Sequence, residues 1–472
     1  MNSDCEKDGK TFGSTPVKVG ELARRAVRRE PSAPTPTASA APPGIVVLPE
    51  YEEIRRLAES GCPAIFATGN AGTGKTCLVH YLRENLAMPL AVVAPTGVAA
   101  INVQGMTIHS LFRFPPRIVE RDDIRKLPDR KLFRKLQLLI IDEISMVRAD
   151  VLDGIDKFLR KNRECDTPFG GVQLLLIGDL FQLPPVVPPR EWTVLKRKGY
   201  ESPYFFSAFG LGKLSITPVG MNTVFRQDER EFIGLLDRVR VGGNVPEVVV
   251  ELNSKCCGRL PEEASATTLT CTNRQADLIN TGRLNLLDPP ECEYRGLIKG
   301  RFNLAEDKLP SPLDLKLRKG ARVMFTKNDP QKRWINGTVG VVEELAENSI
   351  RATVDEGGRR ETCDILPVSW ENFKYQYDAG ADKIVAQRVG EYIQYPLMPA
   401  WAVTIHKSQG RTLDSVLIDF GHGAFACGQA YVALSRCRKL EGLRLKNPLR
   451  DTDIICDPAI QRFYQALAEM SG

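Results

Sequence analysis

Two runs, Leu138 to Met146 (LLIIDEISM) and Leu174 to Val186 (LLLIGDLFQLPPV), pass from unbroken hydrophobicity into acids and amides. A run with neither helical nor alternating period has no polar face, so it must be buried on both sides, as a strand of a parallel sheet is. Such sheets carry their chemistry at the carboxyl edge of the strands. There the first run delivers Asp142 and Glu143, and the second delivers Gly178, Asp179 and Gln182. Upstream, the apolar AIFAT leads into GNAGTGKT (Gly69 to Thr76) and then KTCLVHYLREN, a strand, a glycine-rich loop and a helix. This matches G-x-x-x-x-G-K-[ST] in the context that gives the motif meaning: backbone N–H groups wrap phosphates, lysine reaches the outer two, and the final hydroxyl ligates magnesium. Gly69, Asn70, Ala71, Gly72, Thr73, Gly74, Lys75 and Thr76 are therefore expected to hold ATP, with Thr76 and Asp142 anchoring Mg2+. Glu143 is placed to orient the attacking water, and Gln182 to sense the terminal phosphate. Together these features describe a nucleoside triphosphatase.

The 472 residues exceed what one core usually supports, so two or three domains are expected. Residues 1–43 are rich in Pro, Ala, Ser, Thr and charge and are expected to form a disordered arm. Alternating short apolar strands and helical segments from Ile45 predict a first doubly wound core over 44–190. A charged stretch over 114–136 interrupts it and is expected to be a small surface insertion. A second α/β core is expected over 191–319 and 396–472, with TLTCTN and SVLIDF as its clearest strands. Short β-like runs and an Asn336-Gly337 turn predict a small β-barrel inserted over 320–395.

Composition narrows the setting. Hydrophobic residues at 43% and charged residues at 26% fit a soluble globular enzyme, and the net charge of +6 permits a polyanionic partner without requiring one. Twelve cysteines without a Cys-x-x-Cys pair indicate neither a zinc site nor a disulfide framework. No apolar run approaches the roughly 20 residues that span a bilayer, so an intracellular protein with no membrane partner is expected. That means cytoplasm or nucleoid in a bacterium, nucleus or mitochondrion in a eukaryote.

Electrostatic catalysis of hydrolysis calls for an arginine reaching the terminal phosphate from outside the first core. Arg226, in NTVFRQDEREF, and Arg436, in QAYVALSRC, are the candidates.

The order of the phosphate loop, APTGVAAINVQGMTIHSLFRF, IIDEISMVRADVLDGIDKFLR, FGGVQLLLIGDLFQLPPV, VFRQ, TLTCTNRQAD, WAVTIHKSQGRTLDSVLIDFG and QAYVALSRC resembles the PIF (petite integration frequency) family of DNA helicases. This is a branch of superfamily 1B related to RecD-like enzymes. The resemblance implies two RecA-like P-loop cores that clamp ATP and step 5′ to 3′ along single-stranded DNA, unwinding 5′-tailed or structured duplexes. It also implies a monomer acting in genome maintenance, including repair, recombination and telomere maintenance. Carried onto this chain, it places Lys75, Glu143 and Gln182, with Arg226 and Arg436 reaching across the cleft, in the hydrolysis machinery. Thr96, Gly97, His109, Ser110, Phe112, Asn273, His406, Lys407 and Ser408 face DNA, and Gln409 and Gly410 link strand contact to the nucleotide. The 114–136 insertion would be the duplex-splitting wedge, and the β-barrel a Src-homology-3-type domain. For Phe112 and Trp401, core packing is the simpler reading of the residue type.

One departure is visible: the family's adenine-reading glutamine upstream of the phosphate loop is missing, since no Gln precedes Gln104. Base discrimination is expected to be weak or to rest on other contacts, such as Tyr51 stacking. Alternatives are an ATP-driven translocase that strips proteins without separating strands, and a P-loop kinase indifferent to DNA. A third, the helicase portion of a conjugative relaxase, is disfavoured by the absence of a Tyr- and His-rich nicking segment.

Overall fold

The computed structural model describes residues 46–471 apart from 228, 259–265, 303 and 357–358, together with a two-residue strand, Val17–Lys18. The arm expected over 1–43 lies outside the described residues except for that strand, which pairs in parallel with Cys292–Arg295.

The first sheet contains β1 (Ala64–Gly69), β2 (Leu90–Ala94), β3 (Met106–Thr107), β4 (Leu138–Ile141), β5 (Gln173–Gly178) and β6 (Ile216–Met221). All pairings are parallel, in the order β3-β2-β4-β5-β1-β6. The two signature runs are its centre. Leu139, Ile141, Leu174 and Leu176 belong to one apolar cluster and Leu138, Ile140, Leu175 and Ile177 to another, so alternate residues fill opposite faces. Helices α1 (Lys75–Asn85) and α2 (Ala149–Arg163) flank it.

After α3 (Arg230–Val241), the second sheet comprises β7 (Thr267–Thr270), β8 (Ala402–Thr404), β9 (Val416–Asp419) and β10 (Leu443–Leu445), parallel throughout in the order β8-β7-β9-β10. Its apolar cluster takes in α3 and α4 (Gln429–Leu434).

Four expectations change. The first core does not end at 190, because β6 pairs with β1, and the last helix, α5 (Pro458–Ser471), also packs on it rather than on the second core. Phe463 and Tyr464 lie 5.8 and 6.2 Å from the Phe66 ring on β1, sharing the cover of this apolar face with Phe205 at 5.7 Å. The inserted β unit reaches back to Cys292. One antiparallel sheet orders Arg359–Ile365, Ser349–Glu356, Val339–Ala346, Arg322–Phe325 and Leu397–Pro399, while the long hairpin Val368–Asp378 and Lys383–Gln394 pairs with Leu297–Gly300. The hairpin leans on the first core, where the Tyr375 hydroxyl donates to the Val92 carbonyl at 3.2 Å. Finally, the 114–136 stretch is no polar outgrowth: Ile118, Val119, Ile124, Leu127 and Phe133 are buried in the first core's cluster. Asp150 and Asn162 of α2 hold it down by accepting the N–H groups of Val119 (3.0 Å) and Leu127 (2.8 Å).

Candidate functional site: a nucleotide cleft between two cores

The phosphate loop turns tightly because two glycines take conformations closed to other residues. Gly72 and Gly74 both have φ of 82°. A Cβ on Gly72 would lie 2.6 Å from Cβ of Arg226, and one on Gly74 would lie 2.5 Å from the Tyr51 hydroxyl. That hydroxyl donates to the Gly74 carbonyl at 2.8 Å, and Tyr51 is only 1% exposed. Tyr51 lines the same cavity but braces the loop with its hydroxyl, and at this burial it leaves little ring surface for a base, against the stacking expectation. Phe225, half exposed, and Val46 stand at the mouth of the cleft instead. The signal available in the sequence was the apolar residue next to Arg226.

A cavity of about 370 Å³ is lined by Ala71 to Thr76 together with Asp142, Glu143, Gln182, Arg226, Gly410 and Arg436. The structure thus brings together nearly every residue expected at the nucleotide. Gly69 and Asn70 lie behind it: a Cβ on Gly69 would meet the Met221 carbonyl at 2.4 Å, and Asn70 donates to Asp237 at 2.7 Å. Lys75 Nζ donates to the carbonyls of Gly69 (2.9 Å) and Asn70 (2.7 Å).

Asp142 and Glu143 sit at the end of β4. Burial first, and then the neighbouring Glu143 charge, hold the Asp142 carboxyl above the usual carboxylate range. Burial also raises Glu143, against the pull of Lys75 and Arg436. Glu143 adopts φ 50° and ψ 46°, a left-handed conformation uncommon for a residue with a side chain. Thr76, at the start of α1, is exposed. One carboxylate and one hydroxyl suit magnesium, which keeps most of its shell for phosphates and water. Among the described residues no cluster of three His, Cys, Asp or Glu could hold a metal by itself, so the donor set fits an ion that arrives with its nucleotide.

Facing these acids are two guanidiniums from outside the first sheet. Arg226 donates to Thr412 Oγ1 at 3.0 Å, and Arg436 to the Val432 carbonyl at 2.8 Å and Ser435 Oγ at 2.9 Å. Among the described residues neither forms an ion pair. Burial lowers the pKa of both, Arg226 to about 10, and Arg226 depresses Arg436 further. Unpaired buried cations on a cavity wall favour an anionic ligand. Gln409 closes the ring of contacts, its Nε2 lying 3.5 Å from Glu143 Oε2 and 3.4 Å from Gln182 Oε1.

The residues expected to face DNA divide. Ser110, Asn273, His406 and Lys407 are exposed, while Thr96, Gly97 and His109 are half-buried. Thr96 also caps the helix Gly97–Asn102, its Oγ1 accepting the Ala99 N–H at 3.2 Å. Two of the positions implied to face DNA do not, and for Phe112 the core-packing reading holds. Phe112 is fully buried, its ring edge-on to Phe158 at 5.3 Å, because the 114–136 stretch closes over it. Ser408 is fully buried, and its hydroxyl is committed to the Ile405 carbonyl at 2.7 Å.

Comparison with known proteins agrees with this geometry. A family model described as PIF1-like helicase matches residues 51–243, and a second, described as Helicase, matches 385–471. The ATP-dependent DNA helicase PIF1 of Homo sapiens is 35% identical over 427 residues, 86% of this chain, and the chain spans 61% of that protein's length. The ATP-dependent DNA helicase Pif1 of Bdellovibrio bacteriovorus is 34% identical over 439 residues, 89% of this chain and 92% of its own. Unliganded Pif1 from Bacteroides sp superposes with a TM-score of 0.81 at 38% identity, covering 89% of this chain and 97% of that one. Bacteroides Pif1 bound to single-stranded DNA gives a TM-score of 0.65 at 37% identity, over 90% of this chain and 98% of that one. With the cleft, its two arginines and this co-linear likeness in agreement, the chain belongs to the PIF1-like helicase family.

Proposed function

We propose that the chain is an ATP-dependent DNA helicase that steps 5′ to 3′ along single-stranded DNA and opens 5′-tailed or structured duplexes. The observation that carries the reading is the position of Gln409. It touches both acid-bearing strand ends, Glu143 and Gln182, from a turn whose preceding residues, His406 and Lys407, are exposed. A strand pressing on that turn moves an amide that contacts the water-orienting carboxylate. The relatives' names and the DNA-bound neighbour support the substrate class.

In the mechanism, the loop N–H groups and Lys75 hold the phosphates, Asp142 and Thr76 hold Mg2+, and Glu143 orients water. Arg226 and Arg436 stabilise charge on the transferred phosphoryl group once the cores close. Magnesium, when bound, neutralises charge on the phosphates. Asn273, Ser110, His406 and Lys407 track the backbone of the strand, contacts that tolerate any sequence. The 114–136 segment, with Arg117, Arg121 and Lys126 on its exposed side, meets the duplex junction, and the inserted β unit, of Src-homology-3 type, covers the DNA channel. The protein works as a monomer. ATP turnover with and without single-stranded DNA tests the reading: stimulation by DNA supports it, and turnover indifferent to DNA refutes it.

A further inference from the structure

Asp237 and Arg240, three residues apart on α3, are neighbours on one face of that helix. Phe232, Leu235, Leu236 and Val239 of the same helix are built into the second core's apolar cluster. The polar pair reaches the other way, into the first core. Asp237 accepts from Asn70 Nδ2 at 2.7 Å, and Arg240 forks onto Asp179 Oδ1 with Nη2 at 2.9 Å and Nε at 3.2 Å. The Asp179 side chain is wholly buried. The guanidinium also lies 4.5 Å from the Phe181 ring, which stacks on Tyr464 of α5 at 5.3 Å.

Asp179 is the hinge of a polar chain. Its Oδ2 accepts from Gln182 Nε2 at 3.3 Å, which points the amide oxygen of Gln182 towards Gln409, whose amino group in turn meets Glu143. An amide has one donor end and one acceptor end, so fixing one end dictates the other. With Asp179 immobilised by the fork and its Oδ2 taking the amino group, Gln182 presents its oxygen to Gln409. Without the fork the amide is free to flip, and two amino groups would then oppose each other.

We infer that Arg240 is a positioning residue: by clamping Asp179 from the second core it fixes the Gln182 amide, so that separation of the cores is reported to the hydrolysis site. Movement of α3 away from the first core withdraws the fork from Asp179. The inference rests on the role proposed above for Gln182.

The test measures DNA-stimulated and DNA-free ATP turnover for Arg240→Gln, Arg240→Lys, Gln182→Ala and the double variant Gln182→Ala/Arg240→Gln. Arg240→Gln is expected to lower the DNA-stimulated kcat about tenfold while the KM for ATP moves by less than about threefold. Arg240→Lys keeps the charge but loses the fork, and recovers part of the loss. In the Gln182→Ala background the added Arg240→Gln change has an effect of less than about twofold, because the group it positions is gone. Effects that multiply would overturn the inference. So would an unchanged kcat in Arg240→Gln or, should that variant not fold, in folded Arg240→Lys. Wild-type kcat in Gln182→Ala would instead remove the role of Gln182 itself.

Discussion

At Glu143 the chain holds a left-handed backbone, at a cost on the order of 1 kcal/mol, immediately after a buried carboxylate. Such strain persists because it aims the side chain into the cleft. Glu143→Gln keeps the shape and the neighbouring carboxylate proposed to anchor the metal, but removes the charge proposed to orient water. It is expected to lower kcat by at least about a hundredfold while ATP still binds; turnover near wild type in a steady-state assay would refute the role. The acids also set a pH dependence. Asp142 is held above the carboxylate range, so between about pH 4 and neutrality the folded protein retains a proton that the unfolded chain has lost. Its contribution therefore costs stability as pH rises through that window. Asp142→Asn should raise the melting temperature of the unliganded protein at pH 7.5 and do so far less at pH 4.5; the reverse order would contradict the assignment. At the mouth, Tyr51 is committed to Gly74 and the exposed surfaces are Phe225 and Val46, so ATP and GTP should differ in kcat/KM by less than about tenfold. A larger preference for ATP would mean that another group reads the base. The phosphate loop and the acids were legible because their spacing is itself the chemistry. Tyr51, Phe225 and Arg240 were not, because their roles come from partners distant in sequence.

Among the elements, α2 carries three buried acids: Asp150, Asp153 and Asp156 act as acceptors for loops packed around it. Asp153 alone takes the Tyr200 hydroxyl at 2.8 Å and the Gly210 N–H at 2.8 Å. Asp153→Ala strands these donors and the Phe209 N–H at 3.2 Å, and should cost about 2–4 kcal/mol in denaturant unfolding; a loss below about 0.5 kcal/mol would show that water satisfies them. The same braces bury the 114–136 stretch despite its charge. Its charged residues dominate the composition, while the few apolar side chains that bury it are irregularly spaced and follow neither helical nor strand periodicity. The strands at Leu138, Leu174 and Val416 were legible, since double-sided burial leaves an unmistakable apolar run.

For the whole molecule, two parallel cores follow from those runs, but the closure of one on the other does not. It depends on contacts such as the Ala71 N–H to the Tyr431 hydroxyl at 3.0 Å and the Tyr375 hairpin on β2, for which no local signal exists. The return of α5 to the first core is equally non-local. Removing residues 458–471 would uncover Phe66 and Phe181 and should lower the melting temperature by several degrees; an unchanged melting curve would mean that α5 is dispensable. The central claim is that this cleft couples ATP hydrolysis to directional movement on DNA, and strand separation on tailed duplexes tests it most directly. With ATP and magnesium, a 5′-tailed duplex should be separated, while 3′-tailed and blunt duplexes, and any duplex with Glu143→Gln, should not. Separation from a 3′ tail, or DNA-stimulated turnover that never separates strands, would contradict it.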